Sequence, residues 1–221
     1  MSEPVKHRRP YDARRRRQQA DQTRHDILDA GARLMLERGY GATTIAMIAG
    51  AAGVSPETIY KAFGGKPGIV RALWIQGLEG DGPIPAEQRS DAIRAATSDA
   101  RSLIRAWGTL VTEVASRVAP VALLIRAAAA TDARMAELLA EVDGQRLRRM
   151  ELNARSLLER GEVRPELGLD DVRDVLWTFT APELYELLVV RRGWSAERFG
   201  AFAAEQMIAA LLPADAPGST G

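Results

Sequence analysis

Between Thr43 and Phe63 the chain reads T-T-I-A-M-I-A-G-A-A-G-V-S-P-E-T-I-Y-K-A-F, and its punctuation leaves few backbone paths open. A hydroxyl at Thr43 or Thr44 can accept from amides that the first turn of a helix leaves without partners, so a helix is expected over Ile45 to Ala52. Gly53 ends it, because glycine enters the left-handed conformation of a C-terminal stop without a Cβ penalty. Ser55 caps a second helix, Pro56 occupies its first position, where no amide hydrogen is needed, and Glu57 faces the positive end of the helix dipole. Ile45, Ile48, Ala49 and Ala52 share one face of the first helix, and Ile59 and Phe63 form the inward edge of the second. Thr58, Tyr60 and Lys61 are left facing outward. This is the geometry of a helix-turn-helix whose second helix enters a major groove; taken by itself it also fits an ordinary αα-hairpin with a solvated face.

The surrounding residues decide between the two. Thr23-Arg24, Ile27-Leu28, Ala30, Gly39-Tyr40, Thr43-Thr44, Ile48-Ala49, Ala52-Gly53-Val54-Ser55, Thr58-Ile59-Tyr60, Phe63 and Lys66 together closely resemble the N-terminal domain of the TetR family of transcriptional regulators. The match runs without a gap from Thr23 to Lys66, whereas the rest of the chain resembles the family only in length and helical character. The resemblance implies a dimeric, all-helical, DNA-binding regulator, usually a repressor released by a small molecule. It assigns a phosphate-gripping role to Lys66, which follows Gly64-Gly65 at a fresh helix start. Ala62 departs from the histidine that many relatives carry there.

Composition narrows the alternatives. With 221 residues the chain is long enough for a sizeable core, and zero cysteines exclude disulfides, thiolate metal sites and a cysteine nucleophile. The only histidines, His7 and His25, lie in the basic N-terminal region, so no metal and no cofactor is expected, and no acid/base histidine in a core pocket. No apolar run reads as a membrane span and the first residues are polar and basic, so a cytoplasmic protein with no membrane partner is expected. Net charge is +1, yet Lys6, Arg8, Arg9, Arg14 to Arg17 and Arg24 crowd the start against Glu3, Asp12 and Asp21. A basic arm on a near-neutral body suits attraction to a nucleic-acid backbone.

The expected organisation is a basic disordered arm over 1–20, a helix-turn-helix domain over 21–66, a connecting helix and linker over 67–85, an effector-binding and dimerisation domain over 86–212, and a flexible tail over 213–221. The fold class is all-α: an N-terminal three-helix DNA-binding domain followed by a helical bundle, with about nine helices in total. Periodicity places helices over Asp91 to Val118, from Pro120 to Ala130, from Thr131 or Asp132 to Arg160, over Asp170 to Arg192 with Pro182 bending or starting its second part, and over Ser195 to Leu212. The last two are rich in large apolar residues, Trp177, Phe179, Leu184, Leu187, Leu188 and Val189, then Phe199, Phe202, Met207, Ile208, Leu211 and Leu212. That surface exceeds what a monomer buries easily, although an intrachain core would also use the aromatic residues, and the resemblance implies that these helices form a two-fold homodimer interface.

Candidate DNA-binding residues are Arg24, Thr43, Thr44, Ser55, Pro56, Glu57, Thr58, Tyr60, Lys61 and Lys66, facing a double-stranded DNA operator. Candidate pocket residues for a small-molecule effector are Trp107, Met135, Leu139, Trp177 and Tyr185, with Arg105 and Arg126 free to pair with an acidic ligand or a nearby Glu. Two other classes remain open to the sequence. A non-specific architectural DNA binder needs only the basic arm, and a helical enzyme would have to rely on residues such as Asp170-Asp171, since no catalytic motif is visible and a P-loop is excluded by the missing glycine and Ser/Thr.

Overall fold

The computed structural model describes residues 10–80, 82 and 84–214, with side chains from Arg14 onward. Lys6, His7, Arg8 and Arg9 of the expected arm, Pro83 of the linker and the tail from Asp215 lie outside the described residues. Among the described residues all regular structure is helical: α1 (Pro10–Arg38), α2 (Ile45–Ala52), α3 (Pro56–Phe63), α4 (Lys66–Glu79), α5 (Ala86–Ala96), α6 (Ala100–Ala129), α7 (Ala133–Glu159), α8 (Leu169–Phe179), α9 (Pro182–Tyr185) running into a π-helical turn (Glu186–Arg191), and α10 (Ala196–Leu211). The chain divides into two compact units, one up to Leu73 and one from Trp74. The expected boundary at Lys66 therefore moves into α4.

In the first unit α1 packs on α2 and α2 on α3, around buried Ile27, Leu34, Met35, Ile48, Ile59, Ile69 and Val70. α1 starts at Pro10, so residues 10–20 are helical where a disordered arm was expected. The reason is local. Pro10 suits a first helical position, and from Tyr11 to Ala30 the chain holds no glycine or proline but several Arg, Gln and Ala, all strong helix formers. Low hydrophobicity prevents an independent core, not the extension of a helix anchored at its other end.

The second unit corrects two helix boundaries. The segment expected from Asp91 breaks at Thr97–Asp99. Thr97 Oγ1 donates back to the Ile93 carbonyl at 2.7 Å, Asp99 accepts from the Ser102 amide at 2.8 Å, and Arg160 donates to the carbonyls of Ser98 and Arg94 at 2.6 and 2.9 Å. The bond from the Ser102 amide holds the Asp99 carboxyl below its ordinary pKa. Pro120, expected to start a helix, sits inside α6. Its missing amide costs about 3 kcal/mol, offset by the buried Val118, Ala119, Val121, Ala122 and Ile125 around it. The segment expected over Asp170 to Arg192 divides at its proline as anticipated: α8 ends at Phe179, and Pro182 begins α9.

α6 is long and apolar enough by composition to cross a membrane, contrary to the expectation that no run would be. Its apolar face, Leu103, Ile104 and Trp107, is instead part of a core shared with Leu157, Val172, Leu176 and Met207. α6 and α10 cross closely where Gly108 and Gly200 bring two helix backbones together. Of the apolar residues assigned to an interface at α10, Met207, Ile208, Leu211 and Leu212 are spent on this intrachain core, and Phe199 on a second cluster with Ala119 and Tyr185. Leu187 and Val190, 51% and 64% exposed on the π-helical turn, remain outside it.

Candidate functional site

The turn at the centre of the first unit is assembled from its caps. Thr44 accepts from the Met47 amide at 3.2 Å, Gly53 takes φ 67° and ψ 31°, and the Val54 amide closes back on the Ala49 carbonyl at 3.0 Å. Ser55 then accepts from the Thr58 amide at 3.3 Å, with Pro56 in the first turn of α3. Ser55 Oγ also lies 3.2 Å from Thr58 Oγ1. The Glu57 carboxyl is held below its ordinary pKa, first by a hydrogen bond from Ser55 and then by its own backbone amide. α3 turns fully buried Ile59 inward and leaves Tyr60, 57% exposed, and Lys61 on the outer face, with Thr58 half-buried.

Thr43 is corrected. Its side chain is fully buried, and its hydroxyl can donate to the carbonyls of Leu34 (3.1 Å) and Gly39 (2.9 Å), tying the end of α1 to the turn before α2. Lys66 also has work inside the protein: its ammonium donates to the Tyr40 carbonyl at 2.8 Å and lies 4.1 Å from the Tyr40 ring centre. Lys66→Ala is therefore expected to destabilise the first unit by about 1–2 kcal/mol in urea denaturation, besides any effect on DNA. A variant as stable as the parent would show that these contacts carry no net energy.

Arg24, exposed on α1, stacks its guanidinium 4.5 Å from the Phe63 ring centre. Around it, Arg16, Gln19, Ala20, Thr23 and Arg24 of α1 and Thr58, Lys61 and Ala62 of α3 line one open groove. Arg16 was expected only as part of the basic arm, and Gln19 was missed as a site residue in the sequence. The signal was available, since counting back from Ile27 by three or four residues through Thr23 and Ala20 reaches Arg16 on the same helical face.

The second unit encloses a cavity of about 170 Å³ with a mainly apolar wall, including Leu110, Val111, Val114 and Val118 of α6. Of the five residues expected to line a pocket, Trp107 does so. The others do not: Met135 is fully buried elsewhere, Leu139 is half-buried on α7, Trp177 lies under Arg146 at 4.0 Å, and Tyr185 packs edge-on against Phe199 at 5.5 Å. Each is core or rim because helical spacing gives an inward face without saying which neighbour it meets. Arg105 and Arg126 are matched within the chain, Arg105 with Glu205 at 2.9 Å and Arg126 with Glu183 at 2.6 Å and Asp143 at 3.3 Å. The wall instead contains Arg146 and Arg149. Burial lowers the Arg146 pKa, partly countered by Asp143 and Glu183.

A capped helix-turn-helix with a polar outer face on its second helix has the geometry of a DNA-binding head. Residues 27–73 match the family model described as bacterial regulatory proteins, tetR family. An uncharacterized HTH-type transcriptional regulator of Bacillus subtilis, YdeS, is 29% identical over 183 residues, 80% of this chain and 84% of that protein. The fold is shared with the fatty acid degradation regulator FadR from Bacillus halodurans, with TM-score 0.69 and 18% identity over 84% of this chain and 94% of that one. It is shared also with SmeT, solved as a triclosan complex, with TM-score 0.66 and 21% identity over 90% and 97% of the two chains. In residues 27–73 the chain thus matches the DNA-binding domain of the TetR family of transcriptional regulators, and it shares that family's fold.

Proposed function

We propose that the protein is a cytoplasmic, ligand-responsive repressor that binds a palindromic operator as a homodimer and is released by a small apolar or amphipathic molecule. The observation that carries the DNA reading is the outward face of α3, where Thr58, Tyr60 and Lys61 stand on a helix whose caps and inner face are fully used by the fold. Two such helices would enter successive major grooves, about one helical turn apart. Thr44, Tyr60 and Lys66 would grip phosphates, and the α1 face carrying Arg16 and Arg24 would add attraction to the backbone. Exposed Leu187 and Val190 support pairing of copies through the π-helical turn and α10. A monomer in sedimentation at micromolar concentration would sink that part. The cavity, and a family neighbour solved with triclosan, support the ligand reading.

Selection from a random duplex library by the purified full chain, at a stated near-physiological salt, tests the DNA reading. A recovered palindrome is expected; folded protein that enriches no sequence would leave only non-specific binding. Thr58→Ala should shift the selected sequence while leaving stability within about 0.5 kcal/mol, since Ser55 still caps the Thr58 amide. Lys66→Ala should weaken binding to operator and random duplex alike, with a shallower salt dependence. Equal losses on both DNAs for both variants would refute this division of labour.

A further inference from the structure

The cavity wall in the second unit holds polar groups that nothing in the protein satisfies. Trp74 Nε1 and Trp107 Nε1, donors only, and Asn153 Oδ1, an acceptor, are buried without a hydrogen-bond partner, in residues only 3%, 5% and 6% exposed. A buried polar atom left unpaired costs free energy, so three in one wall mark capacity kept for something else. The charges of the same wall are already balanced. Arg149 reaches Asp91 at 2.6 Å and Glu87 at 3.6 Å, and Arg146 reaches Asp143 at 3.6 Å while stacked on Trp177. An anion would have to displace those carboxylates, and a cation would face two arginines.

We infer that the effector is a neutral, largely apolar molecule bearing hydroxyl or carbonyl oxygen, which accepts from the indole N–H groups and donates from a hydroxyl to Asn153 Oδ1. This rests on the ligand-responsive reading above and gives it a chemical class. A hydroxyl meets both needs, since it donates one hydrogen bond and accepts others. The apolar remainder of the molecule replaces contacts missing in the empty space.

Calorimetric titration of the full chain with 2-naphthol, naphthalene and 2-naphthoate tests it, because the three share a ring system and differ in the polar group. The parent protein is expected to bind 2-naphthol about tenfold more tightly than naphthalene, and more tightly than 2-naphthoate. Asn153→Leu should cut the 2-naphthol preference to about threefold or less while leaving naphthalene binding intact and the melting temperature unchanged or higher, since an unpaired buried oxygen is removed. Trp107→Phe should narrow the preference in the same way. Tightest binding of 2-naphthoate, a preference untouched by both substitutions, or no heat with any probe on folded protein would overturn the inference. Operator selection does not depend on these probes. A protein that selects a palindrome but ignores all three loses this ligand class and keeps its DNA reading, whereas one that binds 2-naphthol and selects no sequence does the reverse.

Discussion

Gly68→Ala is expected to unfold the first unit, at a cost of about 3 kcal/mol or more. Glycine inside a helix is usually a weakness, and alanine there gains up to about 1 kcal/mol. At Gly68 the gain is overwhelmed, because an added Cβ would lie 1.7 Å from the Phe63 carbonyl oxygen and 2.8 Å from its carbon. Both are backbone atoms at the end of α3, so no rotamer change relieves the overlap, and the start of α4 must move off the helix proposed to read DNA. Against a typical total of about 5–15 kcal/mol, such a loss should abolish operator binding. Urea denaturation followed by circular dichroism would show an early partial transition, with the helices of the second unit surviving it. Gly50→Ala is the control: nothing lies within 4 Å of its added Cβ, so it should be neutral or slightly stabilising. Equal stability of the Gly68 and Gly50 variants would refute the account.

The second large effect is expected at the crossing of α6 and α10. A Cβ at Gly200 would lie 2.0 Å from Thr112 Oγ1 and 2.4 Å from the Gly108 carbonyl oxygen. A Cβ at Gly108 would lie 2.7 Å from both Ala204 Cβ and the Gly200 carbonyl oxygen. Either alanine forces two core helices apart, and Gly200→Ala should cost about 2–3 kcal/mol, lowering the urea midpoint of the second unit. Because Trp107 precedes Gly108, the cavity should be disturbed and 2-naphthol binding lost with it. Gly144→Ala on α7 meets only the mobile end of Arg148, at 3.3 Å, and is expected to stabilise slightly. A Gly200 variant that denatures with the parent would show that the helices can separate at little cost.

The first unit was legible because its determinants are local. Thr44, Gly53, Ser55 and Pro56 act on amides and carbonyls within a few residues of themselves, and the structure uses each as its type suggests. Thr43 was not legible, since two adjacent threonines look alike in sequence, and only the path of α1 behind the turn shows which hydroxyl is buried against Leu34 and Gly39. The break before α6 was readable in Thr97-Ser98-Asp99 but was overridden by the apolar spacing on either side, while Pro120 lost its usual meaning to the packing around it. The cavity depends on which helix meets which. Met135 and Tyr185 carry the residue types of a pocket, but Met135 is fully buried away from the cavity and Tyr185 packs edge-on against Phe199, and Asn153, which carries the polar chemistry, looked like one more polar residue of a long helix.

All four tryptophans of the chain, Trp74, Trp107, Trp177 and Trp194, fall in the second unit. Two of them lie in the cavity wall with bare indole N–H groups, and the other two are stacked under Arg146 and Arg198. The protein's ultraviolet emission is therefore a built-in optical gauge of one half of the molecule. It should shift in colour when a hydroxylated guest occupies the cavity, while the half that carries α3 stays dark at those wavelengths.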